Sequence, residues 1–237
     1  MIENMLNQPF KVMIGFDQVE SVAAHTLIHS ILKRSSQPVS FTPIFLNNLK
    51  DTYTRSRDPK QSNEFSFSRF LTPYLSNYEG WSLFMDCDMM LRVDIAELFA
   101  LVDPDKAVMV VKHEYTPSTK TKYLNAIQYS YPRKNWSSVI LFNNAKCQML
   151  TPEYINTAAP LDLHRFAWID DSQIGTLPIE WNHLVDEYPP NPRAKIVHWT
   201  LGGPYFEEYR DVEFSDEWQS EFRETIHCTQ RKDLRAK

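Results

Sequence analysis

Two carboxylates one residue apart, Asp86 and Asp88, close the apolar run Leu83-Phe84-Met85 and precede a second run, Met89-Met90-Leu91. A short apolar run ended by polar residues predicts a buried strand. Carboxylates at such an end are costly unless paired or bound to a metal. In open α/β sheets, ligands gather at the carboxyl ends of strands. Residues i and i+2 of a strand share a face, so both carboxylates can address one cation while Cys87 points away. The chemistry this spacing offers is a D-x-D pair holding a divalent ion. The same spacing also suits a solvated turn.

The elements around this pair read as an alternating α/β chain. A strand over 11–16 delivers Asp17 to its carboxyl end, a helix follows over 19–34, and a second strand over 39–46 completes a β-α-β unit. Such crossovers imply a parallel sheet. The helix would bury Val22, Ala23, Thr26, Ile31 and Leu32. Residues 47–63 read as a polar loop, and 65–75 as a helix carrying Arg69 among aromatics. After the D-x-D strand, Asp94 is a candidate N-cap for a helix over 95–101, and 107–111 is a further buried strand. Residues 114–133 read as a loop with a short helix, and 137–142 as a strand. Residues 151–166 are helical or irregular around Pro152 and Pro160, and 177–184 are a short strand and turn. The last strand is 196–199, before Gly202-Gly203-Pro204, and a helical tail carries Phe214, Trp218 and Phe222.

The composition fits one domain of 237 residues, with 43% hydrophobic residues and only 5 glycines against 15 prolines. That is enough to build a core and leaves little glycine for linkers. The net charge of −5 argues against a nucleic-acid binder, which would show a basic footprint. Cys87, Cys147 and Cys228 have no C-x-x-C spacing, and three scattered cysteines suit a reducing compartment. No signal peptide and no run long enough to span a membrane is visible, so the expectation is a soluble cytoplasmic protein. Oligomeric state is not readable.

Several phosphate-handling signatures are missing. There is no G-x-G-x-x-G after the first strand and no G-x-x-x-x-G-K-[ST]. There is likewise no H-E-x-x-H and no G-x-S-x-G. A nucleotide bound here would need its phosphates neutralised another way. Mg²⁺ commonly does this through one or two carboxylates plus the phosphates, and Mn²⁺ accepts the same oxygens together with an imidazole.

The ordered set, a strand ending in Asp17, then Arg69, F-M-D-C-D, W-S-S-V-I-L-F-N, D-D-S-Q and H-W-T-L-G-G, resembles the GT-A glycosyltransferases. The likeness is strongest to the retaining family 8 group of glycogenin and bacterial lipopolysaccharide galactosyltransferases. It runs from about residue 11 to about residue 206.

The resemblance implies an α/β GT-A fold with a mixed, mostly parallel central sheet flanked by helices. A nucleotide-binding half would span about 10–95, a donor-sugar and acceptor half about 96–206, and a helical tail 207–237. It implies transfer of a hexose, with retention, from a nucleotide-sugar, UDP-linked in that family, to a saccharide or other hydroxyl acceptor. Carried over by position, Asp86, Asp88 and His198 would hold Mn²⁺ or Mg²⁺. Asp17 would contact the base, and Arg69 the donor. Ser137 and Ser138 would line the donor sugar, Gly202 and Gly203 would lie along the donor, and Asp170 and Asp171 would stand near the reacting carbon and acceptor.

The pattern also departs from the family. The family's N-S-G core reads Trp136-Ser137-Ser138, with Asn135 a possible stand-in for the amide. D-Q-D reads Asp170-Asp171-Ser172, which moves the amide to Gln173. The phosphate-binding lysine of H-x-x-G-x-x-K falls on Pro204, leaving Arg69, Lys195 or Arg210 as substitutes. A sugar nucleotidyltransferase and a non-catalytic nucleotide-sugar-binding domain of the same fold remain alternatives.

Overall fold

The computed structural model describes residues 8–57, 61, 63–114, 116–117, 119, 121–122, 124 and 130–227. Part of the loop expected over 114–133 lies outside these residues, as do Cys228 and the basic end of the tail.

The sheet expected from the β-α-β opening forms. Strands β1 (Phe10–Gly15), β2 (Val39–Ile44), β3 (Trp81–Met85), β5 (Val108–Val111), β6 (Val139–Asn143) and β7 (Ile174–Leu177) make one sheet in the order β2-β1-β3-β6-β5-β7. β1 pairs in parallel with β2 and β3, and β5 with β7; β6 alone runs against its neighbours. The interior strands are apolar nearly throughout, as strands covered on both faces must be. β2 lies at the edge, which is where Pro43 can be tolerated without breaking a ladder.

A second sheet was not foreseen. β4 (Met89–Leu91), β8 (His183–Leu184) and β9 (Ile196–His198) pair in the order β4-β9-β8. The run through the D-x-D pair is therefore two strands in two sheets, not one strand. Asp86-Cys87-Asp88 is the crossing between them. The Asp86 amide still donates to the Ser138 carbonyl at 3.0 Å, extending β3 against β6. The Asp88 carbonyl accepts from the Trp199 amide at 3.0 Å, opening the ladder between β4 and β9.

Helix α1 (Ser21–Arg34) buries Ala23, Ala24, Leu27 and Ile31 at helical spacing, whereas Leu32, expected on that face, is 56% exposed. Its Ser30 hydroxyl accepts from the Leu91 amide at 3.0 Å, fastening the helix to β4. The helix expected over 65–75 is a 3₁₀ turn, Ser68–Leu71, running into α2 (Thr72–Leu75). Pro73 sets this arrangement: it suits the first turn of a helix but cannot sit further in.

α3 (Ala96–Phe99) is a single turn whose N-cap position is Ile95, one residue after the expected Asp94, and the Asp94 carboxylate accepts from the Ala96 amide at 2.9 Å. The stretch around Pro152 and Pro160 resolves into α4 (Pro152–Thr157) and α5 (Pro160–His164), each with proline in its first turn. In the tail, α6 spans Ser215–Ile226.

One apolar core surrounds the six-stranded sheet, with Cys87 inside it. A smaller one joins Met90 and Val197 of the second sheet to Trp199 and to Trp218 of α6. Between α1 and α6, the buried Glu221 carboxylate accepts from His29 and from Arg34 Nη2 at 2.8 Å, with Lys33 at 3.8 Å. Burial opposes the charge on Glu221, but the Arg34 and His29 hydrogen bonds outweigh it and hold the carboxyl below its usual range.

Candidate functional site

The crossing between the sheets floors a cavity of about 520 Å³. Asp86, Asp88, Arg69, Ser137, Ser138, Asn135, His164 and Thr200 line it, together with Lys122 and Lys134. Asp86 and Asp88 both face it while Cys87 turns into the core. The alternation expected of a strand is thus retained at the crossing.

His198 is brought to Asp88 by strand pairing, because Met89 is its register partner. The ligating atoms of Asp86, Asp88 and His198 all lie within 4.8 Å of one another. Arg69 Nη1 stands 2.8 Å from Asp86 Oδ1, and His198 Nε2 stands 3.3 Å from Asp88 Oδ1. At neither oxygen is a hydrogen aligned for bonding. Arg69 Nη1 instead donates to the Ser137 carbonyl at 2.7 Å.

Two buried carboxylate oxygens without an aligned donor, facing an imidazole nitrogen, fit a divalent cation better than they fit each other. The donor set of two carboxylates and one imidazole suits Mn²⁺ or Mg²⁺. Burial pushes Asp86 up to about 6, Arg69 works against that rise, and Asp88 adds to it. Burial also opposes the charge on Asp88, but His198 and Lys122 outweigh it and hold that carboxyl low.

The imidazole is oriented from behind. His198 Nδ1 donates to Asn182 Oδ1 at 2.9 Å, and Asn182 Nδ2 donates to Ser138 Oγ at 2.8 Å. This turns Nε2 toward the carboxylates, where a cation bound between them would meet it. Ser137 Oγ pairs with His164 Nδ1 at 2.8 Å. Burial, followed by the charges of Arg69 and Arg55, pushes His164 down to about 3, so it is neutral.

Other expected residues stand elsewhere. The Asp17 carboxylate accepts from the amides of Val19 and Glu64, each at 3.1 Å, and so staples two chain segments without lining the cavity. Gly202 and Gly203 lie off the cavity. They leave room for aromatic rings: a Cβ on Gly202 would meet the Tyr209 ring at 2.5 Å, and one on Gly203 the Tyr205 ring at 2.3 Å.

Asp170 and Asp171 are exposed and outside the cavity lining. Asp171 takes both its hydrogen bonds from Arg133 Nη2, at 2.6 and 2.7 Å. Of the substitutes for the missing lysine, Lys195 is paired with Glu97 at 2.7 Å, and Arg210, 65% exposed, lies 3.7 Å from Glu207. A second gathering of ligand-type side chains, His29, Glu221 and Glu224, is already held by Arg34 and Lys33.

Sequence reasoning missed Asn182, His164, Lys122 and Lys134. Only Asn182, within a predicted strand and turn, carried any signal.

No family model matches the chain. Protein CDI of Arabidopsis thaliana is 47% identical over 226 residues, covering 92% of this chain and 87% of that protein. Among solved structures, the bifunctional glycosyltransferase WbbM superposes with a TM-score of 0.64 at 17% identity, covering 91% of this chain and 50% of its own. Glycosyltransferase GlyE of Streptococcus pneumoniae gives 0.60 at 14% identity, over 91% of this chain and 60% of its own. The chain thus spans about half to three fifths of those two proteins. The galactosyltransferase LgtC, solved with donor and acceptor sugar analogs, gives 0.54 at 9% identity, over 94% of this chain and 98% of its own. The architecture is the GT-A fold of these enzymes.

Proposed function

We propose that this chain, which belongs to the family of Protein CDI of Arabidopsis thaliana, is a metal-dependent glycosyltransferase that moves a hexose from a nucleotide-sugar to a hydroxyl acceptor with retention. The observation that carries this reading is the socket of Asp86 Oδ1, Asp88 Oδ1 and His198 Nε2 at the floor of a cavity large enough for a sugar diphosphate. The GT-A fold supports it.

Asp86, Asp88 and His198 would hold Mn²⁺ or Mg²⁺, which supplies Lewis-acid stabilisation of the departing diphosphate. Arg69 is fixed by the Ser66 and Ser137 carbonyls at 3.1 and 2.7 Å and stands beside the Phe65 and Phe84 rings, at 5.4 and 5.1 Å. It holds Asp86 in place and presents positive charge to the donor. Ser137, Ser138 and Asn135 offer hydroxyl and amide groups to the sugar.

In the reaction the bond from the anomeric carbon to the diphosphate oxygen breaks. The acceptor oxygen forms the new bond on the same face. Among the described residues, no carboxylate besides Asp86 and Asp88 lines the cavity. The acceptor's proton accordingly passes to the leaving diphosphate, which lies on the face of attack.

A panel of nucleotide-sugars, with and without Mn²⁺, tests the reading by nucleoside diphosphate release and thermal shift. UDP-hexoses are expected to respond, and Asp88→Asn to abolish metal-dependent turnover in a folded protein. Full activity in that variant overturns the reading. Pyrophosphate release would point to nucleotidyl transfer instead.

A further inference from the structure

We propose that Lys122 and Lys134, from the segment between β5 and β6, clamp the donor's diphosphate and take the place of the lysine absent at position 204. The inference rests on the glycosyltransferase reading and adds two residues to it.

The charge balance of the cavity calls for such a pair. Asp86 and Asp88 would be matched by a divalent ion, and Arg69 already faces Asp86 at 2.8 Å. A diphosphate brings further negative charge, which grows as the sugar leaves. Lys195 and Arg210 do not line the cavity, whereas Lys122 and Lys134 do.

Both lysines are held there against electrostatic cost. Burial disfavours the charge on Lys122, and the carboxylates of Asp88, Glu20 and Asp86 support it. Burial pushes Lys134 down to about 8, and the neighbouring Lys122 ammonium adds to the fall. Two ammonium groups gathered at one cavity repel each other, and an anion between them relieves that repulsion.

The backbone on either side of Lys134 is also constrained. Arg133 and Asn135 on either side of it adopt φ of +63° and +61°, a left-handed conformation that non-glycine residues keep only where their surroundings enforce it. Those surroundings are visible. Trp136 Nε1 donates to the His113 carbonyl at 2.9 Å, and Ser138 Oγ donates to the Asn135 carbonyl at 2.8 Å. Arg133 is clamped by Asp171. Strained turns of this kind cluster at ligand clamps.

The test is calorimetric binding of UDP and of inorganic pyrophosphate, each with Mn²⁺, and of uridine alone. The proteins are the native one, Lys122→Gln and Lys134→Gln. Each variant should lose about tenfold or more in affinity for both phosphate ligands, as expected for loss of a charge-assisted contact, with uridine unchanged. Mass-spectrometric footprinting of the native protein with an amine-acylating reagent guards against variants that misfold. There, pyrophosphate with Mn²⁺ should shield Lys122 and Lys134. Undiminished binding in both variants, or unshielded lysines in a native protein that binds pyrophosphate, overturns the clamp. A native protein that binds neither phosphate ligand overturns the glycosyltransferase reading itself.

Discussion

Asn182 and His198 are joined by a 2.9 Å hydrogen bond that runs from the imidazole Nδ1 to the amide oxygen. Through it, a residue that touches no ligand decides which ring nitrogen faces Asp88. Outer partners of this kind typically account for 10–100-fold in metal affinity. Asn182→Ala should therefore weaken Mn²⁺ binding by about that factor, measured by calorimetry in the presence of UDP. Asn182→Asp, which keeps the acceptor, should recover much of it. Equal affinity in native protein and the alanine variant would show that His198 needs no such support.

Asp171 is expected to act at one remove, through Arg133 and the turn bearing Lys134. Asp171→Asn should reduce turnover by less than tenfold and raise the KM for the donor. Metal affinity should stay unchanged, because the ligand set is untouched. A loss as deep as that of Asp88→Asn would instead place Asp171 at the reacting carbon, as the family resemblance implies.

Removing the Glu221 carboxylate should loosen α6 from α1. Breaking a fully buried pair costs about 3–5 kcal/mol. Lys33 and Arg34 reach solvent here, at 39% and 24% side-chain exposure, so Glu221→Ala should cost nearer about 2 kcal/mol in urea unfolding. An unchanged unfolding midpoint would rule out the pin.

The acid limb of stability should carry the mark of His113. Burial, with His198 and His183 adding to it, pushes this imidazole down to about 3 from 6.5. The Tyr188 hydroxyl pairs with its Nδ1 at 3.1 Å. The folded state refuses a proton that the unfolded state accepts between those values. The contribution is therefore complete above pH 6.5 and is lost as pH falls toward 3, by about 1.4 kcal/mol per pH unit. Urea unfolding at pH 7 and pH 5 should show His113→Gln losing about 2 kcal/mol less than the native protein over that interval. Parallel losses would remove His113 from the account.

The runs that became β1, β3, β5 and β6, and the D-x-D pair at the end of β3, were legible because strands write themselves in apolar runs, whereas His198 was singled out by the family resemblance. The second sheet was not legible. β4 and β8 have only three and two residues, too few for a period to show. The family resemblance assigned Asp17 to the base, and here its carboxylate accepts from two backbone amides. The resemblance placed Gly202 and Gly203 along the donor, and here the rings of Tyr209 and Tyr205 fill the space beside them. Lys122 and Lys134 sit in irregular chain, where no spacing rule links a residue to a cavity, and His164 reaches it from the last turn of a five-residue helix.

The pairing of Met89 with His198 has a consequence for how such a chain can drift. The address of the third ligand is a count along β9, so a shift of one residue would deliver Val197 or Trp199 in place of the imidazole. Insertions and deletions between Tyr188 and Ala194 leave that count intact, because β4 and β8 hold β9 from both sides. A single inserted codon within Ile196–His198 would silence the site with every ligand still present in the sequence. Inventories of catalytic residues would not register such a loss; comparison of strand spacing would.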